Sequence, residues 1–234
     1  VSPLNPDTDP AGGMIIRARS VRLEPGGAIT APGYLRTLAD ATVVGVGGSV
    51  TIRTAGDVVI DVLPDGSKRS SIDVSARTNA GVIDLGAGGS ILIGGILRSH
   101  ANTRAGMGGR ILLAGSSIGV TSSGLVDASG GDIGGSVTGT SPGGIHVDLN
   151  LTDHGTIDVS ANLTAGVIDL SAAPTGPVRV DGLLWAPGTD AIGIGGTILL
   201  TAPAGFVVGG GGLLDVRGRS RAGNVVVTAG ANIV

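Results

Sequence analysis

Apolar and polar residues alternate along many short stretches of this chain. In residues 49–53 (SVTIR), Val50 and Ile52 fall on one face, and residues 72–75 (IDVS) show the same alternation. A period of two residues is typical of a half-buried β-strand. No segment of the sequence combines the longer period of an amphipathic helix with capping residues. The pattern therefore predicts many short β-strands and no substantial helix.

The alternating stretches belong to an internal repeat. Residues 71–85 and 156–170 are identical at eleven of fifteen positions, at an offset of 85 residues. Two further segments return in the same order at an offset of 87 residues: GGSVT at 47–51 and GGRILL, with one substitution, at 108–113. Single repeat units usually run to roughly 20–50 residues, so a unit this long is most simply several stacked coils.

The repeat defines the organisation that we expect. Residues 1–11 hold three prolines and no alternation, which indicates an extended lead-in. The remainder, 12–234, is predicted to be a single β-solenoid with copies at roughly 47–133 and 134–221 and a truncated third copy from 222. We expect the chain to be either a slice of a longer shaft or a complete polymer subunit.

Composition favours stacked strands with a thin core. The chain contains 45 glycines, a single glutamate (Glu24) and a single lysine (Lys68), whereas Val and Ile are frequent. Glycine disfavours helices, and β-branched residues fit a pleated surface. Only one Trp, one Tyr and one Phe are present, too few for the wide core of a globular sandwich. We therefore predict a parallel β-helix, right-handed, with about ten coils and a narrow aliphatic core, in which glycine provides positive φ at the corners. Ten coils would form a rod roughly 50 Å long.

A β-sandwich or barrel built from hairpins is the competing interpretation. It requires tight turns between antiparallel strands, and the Asn-Gly dipeptide typical of such turns does not occur, although Asp-Gly occurs at 65–66 and 181–182.

The Gly-Gly-x-Ile-x-Leu-x-Ala strands joined by glycine-rich corners resemble the β-helical shafts of large bacterial exoproteins, namely the filamentous-haemagglutinin-like adhesins and autotransporter passengers. The resemblance covers roughly residues 12–234 and rests on the pattern rather than on signature residues. It implies a secreted or surface-displayed bacterial shaft.

Charge and hydropathy argue against several partners. The net charge of −3 gives no reason to expect nucleic acid. Mean hydropathy is +0.43, yet no apolar run approaches the ~20 residues of a membrane helix, so we expect no membrane insertion. The absence of cysteine removes disulfides and thiolate metal sites from consideration. We expect no cofactor.

Few residues point to catalysis. Residues 115–119 (GSSIG) match the nucleophile-elbow pattern around Ser117, but that motif needs a following helix, which the sequence does not predict. The three histidines, His100, His146 and His154, are interpreted as surface polar residues, although His146 and His154 each lie near an aspartate.

Recurring aspartates suggest a second possibility. Asp73 and Asp158 are equivalent in the repeat, as are Asp84 and Asp169, and all four are expected to point outward. Stacked carboxylates would suit Ca²⁺. The calcium-binding GGxGxD repeat does not recur, however, so a solvated face with arginine pairs is the favoured interpretation.

Two function classes follow from these observations. The favoured one is a structural, non-catalytic solenoid of a secreted or cell-surface fibre, an adhesive shaft or a head-to-tail filament. The alternative is a carbohydrate-active β-helix, a polysaccharide lyase or hydrolase, which would carry a non-repeating carboxylate cluster that the sequence does not reveal. An array of threonines for ice binding is not apparent either.

The two ends of the solenoid are the predicted interaction sites. A solenoid end presents unpaired backbone groups unless a cap covers it. No charged cap is evident in the sequence near either end. The partners expected there are copies of the chain itself or the rest of a longer parent chain, and surface glycans are a further candidate partner. The residues assigned to self-assembly are Met14, Ile15, Ile16, Val225, Val226 and Val227.

Overall fold

The fold was analysed in a computed structural model, which describes residues 12–31, 45–63, 66–148 and 155–234. The predicted lead-in, residues 1–11, lies outside the described residues. Every regular element in the described part of the chain is a β-strand. The strands form three sheets, and the chain visits the sheets in the same order in each winding.

The first sheet contains eight strands: β1 (Gly13–Ala18), β4 (Ser49–Thr54), β7 (Val82–Ala87), β10 (Arg110–Ala114), β13 (Ser136–Ser141), β16 (Val167–Ala172), β19 (Thr197–Ala202) and β22 (Asn224–Ala229). The second sheet contains seven: β2 (Val21–Leu23), β5 (Val58–Ile60), β8 (Ile91–Ile93), β11 (Ile118–Val120), β14 (Ile145–Val147), β17 (Val178–Val180) and β20 (Phe206–Val208). The third sheet also contains seven: β3 (Ala28–Thr30), β6 (Ser71–Asp73), β9 (Ile96–Arg98), β12 (Leu125–Asp127), β15 (Thr156–Asp158), β18 (Leu183–Trp185) and β21 (Leu213–Asp215).

Every pair of hydrogen-bonded strands in the described chain is parallel, which confirms the parallel β-solenoid and contradicts the hairpin alternative. Within the described residues the chain returns to the first sheet seven times between β1 and β22, so the expectation of about ten coils is not confirmed. At about 4.8 Å per strand, these two strands lie about 34 Å apart. The right-handed winding stays a prediction.

The register of the first sheet explains the length of the repeat. Ser49 pairs with Val82, Val82 with Arg110, and Arg110 with Ser136. Ser49 and Ser136 are the equivalent residues of the two repeat copies, 87 residues apart. One repeat copy is therefore three windings, and equivalent residues of the two copies lie three strands apart in the same sheet.

The core is formed by alternate residues of all three sheets. Val50 and Ile52 are 0 % exposed, as the alternation predicted, and the other buried side chains are almost all Val, Ile, Leu and Ala. Phe206 is the one aromatic residue among the buried side chains of the described chain. A thin aliphatic interior, continuous along the axis, is therefore confirmed.

A glycine stands immediately before every strand of the first sheet: Gly12, Gly48, Gly81, Gly109, Gly135, Gly166, Gly196 and Gly223. We refer to this row as the glycine ladder. From Gly81 onward, a Cβ atom on each member would lie 1.8–2.2 Å from the carbonyl oxygen of the previous member. From Gly81 to Gly223, glycine is therefore required by the close approach of backbone atoms at this corner.

The expectation that glycine supplies positive φ at the corners is largely wrong. Among the described glycines, only Gly26, Gly66, Gly144 and Gly205 have positive φ. The physical reason is that the corners bend with ordinary backbone angles, while successive windings at the ladder leave no room for a side chain.

Candidate functional site

Core positions become exposed at both ends of the solenoid. Met14 on β1 is 41 % exposed, whereas its register partner Val50 is 0 % exposed. Val225 on β22 is 42 % exposed, whereas its partner Ile198 is 0 % exposed. The difference arises because β1 and β22 each have a neighbouring strand on one side only among the described residues. Among the described residues, each end therefore presents an apolar surface and a strand edge without a partner strand.

The six residues predicted for self-assembly divide between two faces. Met14 and Ile16 on β1, and Val225 and Val227 on β22, are in register with core residues. Ile15 and Val226 alternate with them, lie on the outer face and are 62 % and 48 % exposed. The inward-facing four are thus the residues that a further winding would cover.

The third sheet carries a polar row on its outer face. Successive strands place these residues side by side in register: Asp73, Arg98, Asp127, Asp158, Trp185 and Asp215. We call this set the third-sheet row. Asp73 and Asp158, equivalent in the repeat, are separated in the row by Arg98 and Asp127, about 14 Å apart. Repeat-equivalent aspartates are therefore not neighbours in the row, so the stacking that the calcium alternative required is absent between them.

The aspartates of the third-sheet row shape the corner that follows the sheet. Asp73 Oδ1 accepts a hydrogen bond from the backbone N–H of Ser75 at 2.8 Å, and Asp158 Oδ1 accepts one from the N–H of Ser160 at 2.7 Å. Equivalent bonds exist at Asp127 and Asp215. This is an Asx turn, in which the side chain replaces a backbone acceptor and bends the chain. It gives the recurring Asp a structural role.

Asp158 has the least favourable environment in the third-sheet row. Burial raises the pKa of Asp158 above its ordinary value of 3.8, and the neighbouring Asp127 carboxylate raises it further, against hydrogen bonds from Ser160. Asp127, in contrast, has Arg98 on its other side, with Arg98 Nε 3.5 Å from Asp127 Oδ2. Asp158 itself lies between Asp127 and Trp185 in the row.

We expect Asp158→Asn to stabilise the protein at pH 7 by about 0.5 kcal/mol, the range for relief of like charges on paired strands. A raised pKa means that the folded state is favoured by protonation, and that this contribution is lost as pH rises through the folded-state pKa. The gain should therefore disappear below pH 3.8. Urea unfolding at several pH values measures it. Asp73→Asn is the control, because Asp73 lies beside Arg98 and should show no gain.

A second charged cluster joins two windings through the second sheet and the turn that follows it. Asp181, whose side chain is 12 % exposed, accepts hydrogen bonds from Arg179 Nη2 at 2.8 Å and from Arg179 Nε at 2.5 Å. His146 Nε2 lies 2.8 Å from Asp181 Oδ2. Burial raises the pKa of Asp181, but the hydrogen bonds from Arg179 and His146 outweigh it, so the pKa lies below its usual value.

The same cluster has the ligand types of a divalent-cation site. Ligand atoms of His146, Asp148 and Asp181 all lie within 4.8 Å of one another. However, the Arg179 guanidinium binds both oxygens of Asp181 and already compensates its charge. A cation there would face that guanidinium at close range. We therefore interpret the cluster as an ion-pair network that joins consecutive windings.

We expect Asp181→Asn to lower the free energy of unfolding by about 1–2 kcal/mol at pH 7, because it weakens charge-assisted hydrogen bonds at a nearly buried group. A lowered pKa means that the stabilisation is present above pH 3.8 and is lost as pH falls through the folded-state pKa. Urea unfolding at pH 7 and in acid checks both statements. Glu24→Gln, which affects an exposed ion pair with Arg22, should change stability little.

The residues that the sequence singled out for catalysis do not form a catalytic triad in the described chain. Ser117 is followed by strand β11 rather than by a helix, and its Oγ donates to Ser90 Oγ at 2.8 Å. His100 Nδ1 lies 2.8 Å from Ser129 Oγ, which donates to Asp127 Oδ1 at 2.5 Å. The Ser129 hydroxyl therefore donates its proton to the Asp127 carboxylate and not to the His100 imidazole. His154 lies outside the described residues.

Sequence reasoning missed one feature of the third-sheet row. The β6, β12 and β15 windings place Asp at the end of the third-sheet strand and Ser two residues later, but the β9 winding, which lies between β6 and β12, has Arg98 and His100 at these positions. Together with Asp73, Asn102 and Asp127 they line a groove of about 420 Å³. The sequence contains this difference, because an alignment of each winding with the next places Arg98 and His100 against Asp and Ser. An alignment at the 87-residue offset does not show it.

No family model, no curated protein and no solved structure matches this chain. The described residues contain no helix that could cross a membrane.

Proposed function

We propose that this chain is a structural, non-catalytic segment of a secreted or cell-surface fibre, in which the windings continue across both ends of the solenoid. The continuation is provided by another copy stacked head to tail, or by further windings of a longer parent chain. Head-to-tail contacts do not close on themselves, so they generate a filament.

The glycine ladder provides the principal support for this proposal. A Cβ on Gly12, its first member, would have nothing within 4 Å, so no described contact requires glycine there. At Gly223, the last member, a Cβ would lie 1.8 Å from the carbonyl oxygen of Gly196. Stacking would place Gly12 next to Gly223 of another copy in the same ladder. Glycine would then be required at position 12 by close approach to a carbonyl oxygen, as it is in the six members from Gly81 to Gly223.

The two end strands also match in length and in side-chain size. Each has six residues, and aligning Gly13 with Asn224 continues the register of the first sheet. That alignment places Met14 over Val225 and Ile16 over Val227, and small residues meet at Ala18 and Ala229. The junction would therefore bury apolar side chains and pair the free edges, as each internal pair of windings does.

Sedimentation of the purified chain at increasing concentration tests the proposal. Its mass is 22.6 kDa as a single chain. We expect a series of heavier species that grows with concentration, because an open-ended contact adds one copy at a time. A single species of 22.6 kDa across the whole concentration range would contradict head-to-tail stacking of copies and leave only continuation within a longer parent chain.

A further inference from the structure

We propose that the groove across the third-sheet row binds a neutral oligosaccharide, with Arg98, His100 and Asn102 as donors and Asp73 and Asp127 as acceptors. This function is separate from stacking at the ends and does not depend on it. The ligand would lie along the solenoid axis on the outer face, at a distance from both end strands.

The groove lies where a structural pattern is interrupted, because the neighbouring β6 and β12 windings keep that pattern and the β9 winding does not. Asp and Ser form the Asx turn at this corner in the β6, β12 and β15 windings, and Asp215 forms it with the N–H of Arg217. The β9 winding lacks that turn, and the N–H of His100 instead donates to Ser75 Oγ at 3.3 Å. Arg98 and His100 therefore replace a turn that contributes to the fold in four other windings. The β9 winding therefore has no Asx turn at this corner, and the polar side chains of Arg98 and His100 line the groove there instead.

The charges and hydrogen-bonding groups of the groove indicate the kind of ligand. Arg98, with 39 % of its side chain exposed, lies between Asp73 and Asp127 in the row. Its charge is compensated by these neighbours, so the groove gives no net attraction for an anion. Guanidinium, imidazole and amide donors beside carboxylate acceptors instead match vicinal hydroxyls, which donate and accept at once. This chemistry is that of a neutral sugar.

An aromatic residue lies further along the same row. Trp185, the only tryptophan of the chain, lies two strands beyond Asp127, about 10 Å along the axis. It is partly exposed, and the Arg217 guanidinium lies 5.7 Å from its ring centroid. Indole rings offer an apolar surface beside a polar tip, which suits the apolar faces of sugar rings. An oligosaccharide that extends from Arg98 would reach it.

Trp185 also makes the proposal measurable without a label. Neutral and anionic oligosaccharides are titrated against the full chain while tryptophan emission is recorded, and calorimetry gives the affinity. We expect saturable binding of at least one neutral oligosaccharide. Arg98→Met and His100→Ser, which introduces the serine that three other windings have at this position, should each weaken binding about tenfold or more through loss of charged or imidazole hydrogen bonds.

Arg110→Met is the matched control, because Arg110 is an exposed arginine on the first sheet, away from the groove. It should bind as the unmodified protein does, and circular dichroism should show that all three variants keep the strand signal. Three outcomes would overturn the proposal: no binding across the panel, binding of anionic sugars alone, or equal affinity for Arg98→Met and the unmodified chain.

Discussion

Gly135→Ala is expected to destabilise the protein by about 3 kcal/mol or more, and to prevent folding if the chain has little stability to lose. Gly135 belongs to a central winding, and a Cβ there would lie 2.0 Å from the carbonyl oxygen of Gly109 and 2.7 Å from the carbonyl carbon of Gly108. Both contacts are with backbone atoms, so no side-chain rotation relieves them. The windings must move apart, which strains the hydrogen bond from the Ser136 N–H to Gly109 O, 2.9 Å long.

Gly210→Ala is the matched control, because a Cβ on Gly210 would meet nothing within 4 Å. It should leave stability unchanged or raise it slightly by restricting the unfolded chain. Thermal and urea unfolding, followed by circular dichroism, compare the two variants. Equal stability of Gly135→Ala and Gly210→Ala would show that successive windings do not approach as closely at the glycine ladder as described here.

Val225→Lys is expected to abolish assembly while leaving the single chain folded. Val225 is already 42 % exposed at the end of the solenoid, so lysine is tolerated in the isolated chain. In the proposed junction the same position faces Met14 of the next copy, and an unpaired ammonium would be buried there at a cost of several kcal/mol. Sedimentation should therefore show a single species for this variant at concentrations at which the unmodified chain polymerises.

Val226→Lys separates this effect from a general effect of charge. Val226 lies on the same strand, but its side chain is on the outer face, where lysine stays in water within the assembled fibre. This variant should assemble nearly as the unmodified chain does. Assembly of Val225→Lys to the same extent as Val226→Lys would argue against pairing through these strands.

The fold class was accessible from sequence because its causes are local. Alternation at Val50 and Ile52 places both residues in the core, and scarce aromatics limit the width of that core. The number of windings could not be predicted from the sequence. The strands of the second sheet have only three residues each, and successive windings in the first sheet differ in length, as the pairs Gly13–Ser49 and Arg110–Ser136 show. An 87-residue period does not reveal how many such windings it contains.

The ends and the groove differ in how far sequence reasoning reached. Apolar strands near both ends were visible, but their division into inward residues such as Met14 and outward residues such as Ile15 needed the register with β4. The groove was missed because Arg98 and Asp127 are neighbours only across paired strands. Residues that contact each other between neighbouring windings are far apart in sequence. The 87-residue offset compares strands that lie three windings apart, so it does not reveal which residues are neighbours in a row.

Electron microscopy of the purified chain, with diffraction from any fibres, tests most directly whether the windings continue from one copy to the next. We expect unbranched filaments of constant width, with strands spaced about 4.8 Å along the axis and a subunit rise of about 38 Å for the eight strands of the first sheet. Isolated short particles at every concentration, or fibres in which the strands run along the axis, would contradict it.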